Sequence, residues 1–338
     1  MIRMKVGILG GGSWGTTLAI LLYEKGLSVK IWEFSDEQVE IISKKRENIK
    51  FLPGIFIPQE IEITSCLEDV VKDSKVIVIV IPSQVVREVV KRLPPMITPD
   101  VVIVSGVKGL EISTMKRISE VIGEYLPQET KVGVISGPSH AEEVSRKIPT
   151  AIVAAAQDEK IAKFIQDIFF TPSLRVYTNT DLVGVELGGA LKNIIAIAAG
   201  ISDGLELGDN TKAALITRGL VEIIQIGRIL GAREPTFLGL SGLGDLVVTC
   251  TSGYSRNRYL GEMIGKGSSL QEVLSSMVMV AEGVSTTKAT KELAKKVNIE
   301  LPITNEVYKV LFESKSPKQA VSDLMLRSAK AEEELVCR

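Results

Sequence analysis

KVGILGGGSWGTTLAILLYEKG, Lys5 to Gly26, runs from a short apolar stretch through a glycine-rich turn into a good helix former. Gly10, Gly12 and Gly15 make the pattern GxGxxG directly after KVGIL and directly before TTLAILLYEKG. On its own that pattern is weak, but between the first strand and first helix of a βαβ unit it is far more specific. Glycines there permit a tight turn and close approach of a pyrophosphate, whose charge is met by amides at the helix N-terminus. Ser13 and Trp14 lie at the turn and are expected to touch the dinucleotide.

The pattern continues outward in the same rhythm. VKIW (29–32), KVIVIVI (75–81), VVIVSGV (101–107), KVGVIS (131–136) and TAIVAAA (150–156) read as further strands, separated by amphipathic stretches. Most are apolar at consecutive rather than alternate positions, as strands of a parallel sheet covered on both faces should be. The second strand ends in IWE, so Glu33 stands 18 residues after Gly15. A carboxylate there accepts hydrogen bonds from ribose hydroxyls and repels a 2′-phosphate. No arginine follows in EFSDEQ, which favours NAD and leaves NADP open through a cation from a neighbouring loop.

After Asp181 the strand signal stops. Helical periodicity covers 183–201, 210–230, a stretch from near Ser255, 269–277, 285–297 and 303–313, with Ser269 and Glu272 spaced as a capping box. The expected class is α/β: an N-terminal Rossmann-type doubly wound sheet over residues 1–182, followed by an all-α substrate-binding and catalytic domain over 183–338.

Bulk properties narrow the function. The 338 residues carry 40 basic and 41 acidic side chains, which argues against a nucleic-acid surface or polybasic membrane patch and for small-molecule partners. Cys66, Cys250 and Cys337 have neither zinc nor disulfide spacing, so a reducing cytoplasm is expected. No ligand cluster suggests a metal, the N-terminal apolar stretch is too short for a signal peptide, and no uncharged run of 18 apolar residues suggests a membrane span.

ELGGALKNIIAIAAG, Glu186 to Gly200, places Lys192 in a helix that is apolar on every face. Burial disfavours the charged amine and moves it toward proton transfer near neutral pH. A snorkelling lysine is the alternative. Gly188 and Gly189, which weaken a helix unless a close approach requires them, and the polar Asn193 favour the buried reading. Asp245, which follows Gly242 and Gly244, reads either as a turn residue or as a partner that holds Lys192 and opposes its desolvation. Ser255 reads as a helix N-cap that aims amides outward, with Arg256 suited to a phosphate oxygen pair.

VELGGALKNIIAIAAGISDG (185–204), DNTKAALITRGL (209–220), GLSGLGDLVVTCTSGYSRNRYLG (239–261), SGVKGLE (105–111) and SGPSHAEE (136–143) together resemble the signature segments of the NAD(P)-dependent glycerol-3-phosphate dehydrogenases of bacterial type. The resemblance runs in order from the first strand to about Arg327. It implies that Lys192 is the proton acceptor and donor, that Lys108 faces cofactor and substrate, and that Asp245, with Thr249 near it, sits by the substrate hydroxyls and the lysine. It further implies that Gly137, Ser139 and Asn193 line the substrate pocket and that Ala141 touches the nicotinamide side. Ser255, Arg256 and Asn257 would hold the substrate phosphate, while Arg256, Val280 and Glu282 complete the cofactor site. Two positions depart from the family pattern: His140 stands where an aromatic is usual, which suggests packing, and Glu33–Phe34 replaces a frequent basic residue.

The activity so implied is reversible oxidoreduction of sn-glycerol 3-phosphate and dihydroxyacetone phosphate, serving glycerophospholipid synthesis in a cytoplasmic homodimer. Two rivals stand beside it. A 3-hydroxyacid dehydrogenase of the 6-phosphogluconate dehydrogenase type would bind a carboxylate, against which the SRN segment argues, and a nucleotide sensor without chemistry would tolerate loss of Lys192.

Overall fold

The computed structural model describes residues 4–329, 331 and 332. Cys337 and the ends of the expected domains, Met1–Arg3 and 333–338, lie outside them. The chain divides into two compact units: residues up to Val107 with Ile118–Leu182, and Lys108–Arg117 with the residues from Val183 onward.

Among the described residues the first unit has ten strands: β1 Lys5–Leu9, β2 Ser28–Trp32, β3 Glu47–Asn48, β4 Leu52–Phe56, β5 Glu62–Thr64, β6 Val76–Ile79, β7 Val102–Ser105, β8 Lys131–Ser136, β9 Thr150–Ala155 and β10 Leu174–Asn179. Eight form one sheet in the order β10-β9-β8-β7-β6-β1-β2-β5, and β3 with β4 forms a separate antiparallel pair. The consecutive apolar residues have a direct cause. In β6, Val76 and Val78 enter one core layer while Ile77 and Ile79 enter another; Val102, Val104 and Ile103 of β7 divide the same way. A strand covered on both faces favours apolar residues at consecutive positions.

TAIVAAA departs from the expected parallel arrangement: β9 pairs antiparallel with β8, and β10 then pairs parallel with β9. β1 lies between β2 and β6, so strand order reverses around it. The glycine turn that follows β1 therefore occupies the switch point, where open α/β sheets bind ligands beyond their strand ends.

The second unit is helical and is organised on the helix Leu182–Gly204, called here the Lys192 helix. This helix is long and apolar enough to cross a membrane, yet 94% of its most apolar window is buried within the protein, as in the core helix of a globular fold. Helices Gly208–Ile229, Asp245–Thr251, Arg256–Gly265, Leu270–Ser276, Glu282–Lys296, Pro302–Phe312 and Pro317–Met325 accompany it. Ser269 and Glu272 form the capping box reciprocally.

Glycine places the partners of the Lys192 helix. A Cβ at Gly200 would lie 1.9 Å from the Arg258 carbonyl oxygen, and one at Gly261 would lie 2.1 Å from that of Ile197. The Lys192 helix and Arg256–Gly265 therefore cross in backbone contact. On another side, a Cβ at Gly188 would lie 2.6 Å from the carbonyl oxygen of Ser241, in the π-turn Leu240–Gly244 that leads into Asp245–Thr251. This is the close approach that glycine at 188 permits.

Candidate active site

Lys192 is 5% exposed, which excludes the snorkelling alternative. Its Nζ donates to Asp245 Oδ1 at 2.6 Å and to Thr249 Oγ1. Asp245 is not in a turn: it is the first residue of its helix and is 1% exposed. Thr249, one turn later, donates its own proton to the Asp245 carbonyl oxygen at 2.6 Å and so keeps its lone pairs toward the amine. The other carboxylate oxygen of Asp245 accepts from Lys108 Nζ at 2.7 Å.

Two lysines thus share one carboxylate, leaving a net positive charge on a triad in which Lys192 and Asp245 are buried and Lys108 is partly exposed. Burial lowers the Lys192 amine strongly; Asp245 opposes the shift and Lys108 adds to it, and the amine settles at about 8. Burial pushes the Asp245 carboxyl up, but Lys108 and Lys192 together outweigh it and hold the group below the usual carboxylate range. The nearby Cys250 thiol is pushed up to about 12 by burial, so it stays neutral.

Asn193 follows Lys192 and donates from Nδ2 to the Lys108 carbonyl oxygen at 3.0 Å. Its own carbonyl oxygen would lie 2.7 Å from a Cβ at Gly283, whose amide donates to Asn257 Oδ1 at 2.9 Å. Gly283 therefore links the LKN and SRN segments. Ser255 caps its helix by accepting from the Arg258 amide, which leaves Arg256 exposed, with Nη1 3.4 Å from the Val280 carbonyl oxygen. Glu282 begins the helix Glu282–Lys296. The second arginine of SRNR is structural: Arg258 pairs with Asp203 at 2.8 Å and with Glu262.

In the first unit, Gly10 has φ +124°, and a Cβ at Gly15 would lie 1.9 Å from the Gly10 carbonyl oxygen. A Cβ at Gly12 would meet nothing within 4 Å. No side chain caps the helix Ser13–Glu24, whereas Ser35, Asp158, Ser255 and Ser269 cap theirs. Gly12, at the N-cap, has no side chain to offer the first turn. Glu33 reaches back over the turn, its Oε2 2.5 Å from where a Cβ of Gly11 would stand. The Trp14 indole lies beside Gly106. Ser139 Oγ donates to the Gly137 carbonyl oxygen at 2.8 Å, and Ala141 starts a short helix that His140 precedes as N-cap.

Some supporting residues carry no sequence signal. Asn48 Nδ2 donates to the Gly11 carbonyl oxygen at 2.7 Å and to Thr16 Oγ1 at 2.9 Å, fixing the turn from the β3–β4 pair. Arg117 donates to Glu186 at 2.5 Å, a contact across 69 residues of chain.

The models of NAD-dependent glycerol-3-phosphate dehydrogenase match this chain in both halves, the N-terminal model over residues 5–162 and the C-terminal model over 181–322. The chain is 52% identical to the glycerol-3-phosphate dehydrogenase [NAD(P)+] of Chlorobium phaeobacteroides, over 97% of its length and 99% of the relative's. It is 51% identical to that of Geobacter sulfurreducens, over 97% and 98%. A crystal structure of glycerol-3-phosphate dehydrogenase from Coxiella burnetii, 38% identical, superposes with a TM-score of 0.92 over 97% of this chain and all of the other. With both halves matched and relatives at this identity spanning nearly its full length, the chain belongs to the NAD-dependent glycerol-3-phosphate dehydrogenase family.

Proposed function

We propose that the protein interconverts sn-glycerol 3-phosphate and dihydroxyacetone phosphate with a nicotinamide dinucleotide, with Lys192 as the group that moves the proton. The dinucleotide, when bound, supplies or accepts the hydride. The glycine turn suits it: the space at Gly12, the helix start that follows it without a side chain at the N-cap, and the indole of Trp14 fit a pyrophosphate and its flanking groups. Glu33 beside Gly11 suits ribose hydroxyls and disfavours a 2′-phosphate, which supports NAD over NADP. Ala141, Lys108, Arg256, Val280 and Glu282 are proposed to complete the cofactor contacts.

One observation carries the proton chemistry. As an ammonium, Lys192 has three N–H bonds, two of which are directed to Asp245 and Thr249. No third partner for it stands among the described residues. As a neutral amine it keeps those two N–H bonds and turns a lone pair along the third direction. A substrate hydroxyl placed there gives its proton to that lone pair on oxidation. On reduction the ammonium returns the proton to the substrate oxygen as negative charge grows on it. Asp245 stabilises the ammonium between these events, and Lys108 is proposed to add positive charge beside the developing oxyanion.

Arg256, the amides of its helix N-terminus and Asn257 are proposed to hold the substrate phosphate, with Ser255 maintaining the helix start. Gly137, Ser139 and Asn193 are proposed to line the substrate pocket, and Thr249 to contact the substrate through Lys192. Holding the phosphate fixes the reacting carbon, so binding energy far from the chemistry serves turnover. A cytoplasmic homodimer that supplies glycerol 3-phosphate to glycerophospholipid synthesis is the role proposed for it.

The test is the absorbance of reduced nicotinamide during incubation with dihydroxyacetone phosphate, with NADH and NADPH in parallel and small hydroxyacids as controls. Turnover of the phosphate ester, faster with NADH, is expected. Turnover of hydroxyacids alone would favour the carboxylate-binding alternative and remove this reading.

A further inference from the structure

The strap Lys108–Arg117 leaves the first unit's sequence to join the second, and one face of the Lys192 helix holds it at both ends. Asn193 grips the Lys108 carbonyl, and Glu186 grips the Arg117 guanidinium. Glu186 and Asn193 are seven residues apart, hence on one helix face and about 10 Å from each other along the axis. Between these anchors the strap is closed on itself. Leu110 and Arg117 form an isolated antiparallel bridge, the Glu111 amide donates to the Lys116 carbonyl oxygen at 3.0 Å, and Met115 donates to that of Glu111 at 2.8 Å. Leu110, 1% exposed, is sunk in the helical core.

Such a closed strap has few ways to move except as a body, and the Arg117–Glu186 contact anchors its far end to the Lys192 helix. The pair is shielded, with side chains 16% and 5% exposed, so it is screened far less than surface pairs are. At the other end of the strap is the Lys108 ammonium against Asp245.

We propose that Arg117 and Glu186 are positioning residues for the dehydrogenase reaction: their ion pair fastens the strap to the Lys192 helix and thereby fixes the Lys108 ammonium beside Asp245 and Lys192. The inference rests on the function proposed above in so far as it concerns turnover. The charged and titratable groups that face Lys192 are Asp245 and Cys250 from one helix and Lys108 from the strap. Asp245 favours a proton on Lys192, and Lys108 disfavours it. A loosened strap withdraws the Lys108 charge, and Lys192 then holds its proton more tightly.

The experiment uses the full-length Arg117→Gln and Glu186→Gln variants and the swap Arg117→Glu with Glu186→Arg. The 13Cε resonance of Lys192, assigned by its absence in Lys192→Met, is titrated in each without substrate, and the pH profile of glycerol 3-phosphate oxidation is recorded beside it. Each single variant is expected to raise the Lys192 midpoint by roughly one pH unit, which lowers kcat for oxidation about tenfold below that midpoint. The swap is expected to restore both. Loss of thermal stability with the midpoint unmoved would mean a merely structural pair and would overturn the proposal. If a single variant does not fold, Arg117→Lys, which keeps the charge but not the planar fork, carries the same titration. A wild type inactive on glycerol 3-phosphate would remove the proposed function, and the resonance titration would still decide the clamp.

Discussion

The amine of Lys192 lies 2.6 Å from Oδ1 of Asp245, and the opposite oxygen of the same carboxylate lies 2.7 Å from Lys108. A carboxylate shared by two lysines behaves differently from a simple buried pair. Removing one lysine leaves a neutral pair rather than an orphaned charge. Lys192→Met is therefore expected to fold with nearly unchanged stability, because Lys108 still pairs with Asp245, while kcat falls about a thousandfold with loss of the proton-transfer group. Urea denaturation beside steady-state kinetics checks this, and a kcat within tenfold of wild type would eliminate Lys192 as the proton carrier.

The same triad sets a pH dependence of opposite sign in the two directions. Oxidation needs the neutral amine, so its kcat is expected to rise as pH passes upward through about 8. Reduction needs the ammonium and is expected to fall over the same range. Measuring both directions from pH 6.5 to 9.5 is the check; parallel profiles would show that some other group titrates.

The sequence makes one layer of this arrangement legible. β1, β2, β6, β7, β8 and β9 were expected because two-sided burial writes consecutive apolar residues into a strand. β10 escaped because it lies at the sheet edge and Arg175 and Tyr177 face outward from it. β5 is three residues long, and β3 and β4 are held together by pairing rather than by apolar pattern. The antiparallel turn of β9 is invisible because burial constrains side chains and not strand direction. In the site, the motifs of the resemblance named the charged residues. They did not reveal the strap, since the contact of Arg117 with Glu186 joins residues far apart in sequence, and nothing local marks such a pair.

Gly200 gives a prediction about geometry. A Cβ there would stand 1.9 Å from the Arg258 carbonyl oxygen, so Gly200→Ala must push the helix Arg256–Gly265 off the Lys192 helix. Overpacking of this kind costs about 1–3 kcal/mol. Ser255, Arg256 and Asn257 stand at the start of the displaced helix, so KM for dihydroxyacetone phosphate is expected to rise several-fold, by order of magnitude from a displaced phosphate contact. Gly123→Ala, where an added Cβ meets nothing within 4 Å, serves as the control. Equal KM values in the two variants would separate the crossing from the phosphate site.

Glu222 gives a prediction about stability. It is 6% exposed, and its carboxylate accepts from the amides of Ile303 and Thr304 and from the Thr304 hydroxyl, capping the helix Pro302–Phe312. Burial nevertheless outweighs those donors and raises the group to about 7 from an ordinary 4.5. Between these two values the folded state binds more protons than the unfolded state. Stability contributed by this group is therefore full below pH 4.5 and is lost as pH rises toward 7, by on the order of 3 kcal/mol. Glu222→Gln has no such titration. The stability of the variant relative to wild type is expected to improve steadily from pH 5 to pH 8, whichever protein is the more stable at the outset. Urea midpoints at those two pH values test the sign, since Asp245 and Lys192 titrate alike in both proteins and cancel from the difference. A relative stability that is flat or that worsens with pH would show the Glu222 carboxylate already ionised in the folded protein at pH 5, with its three donors prevailing over burial.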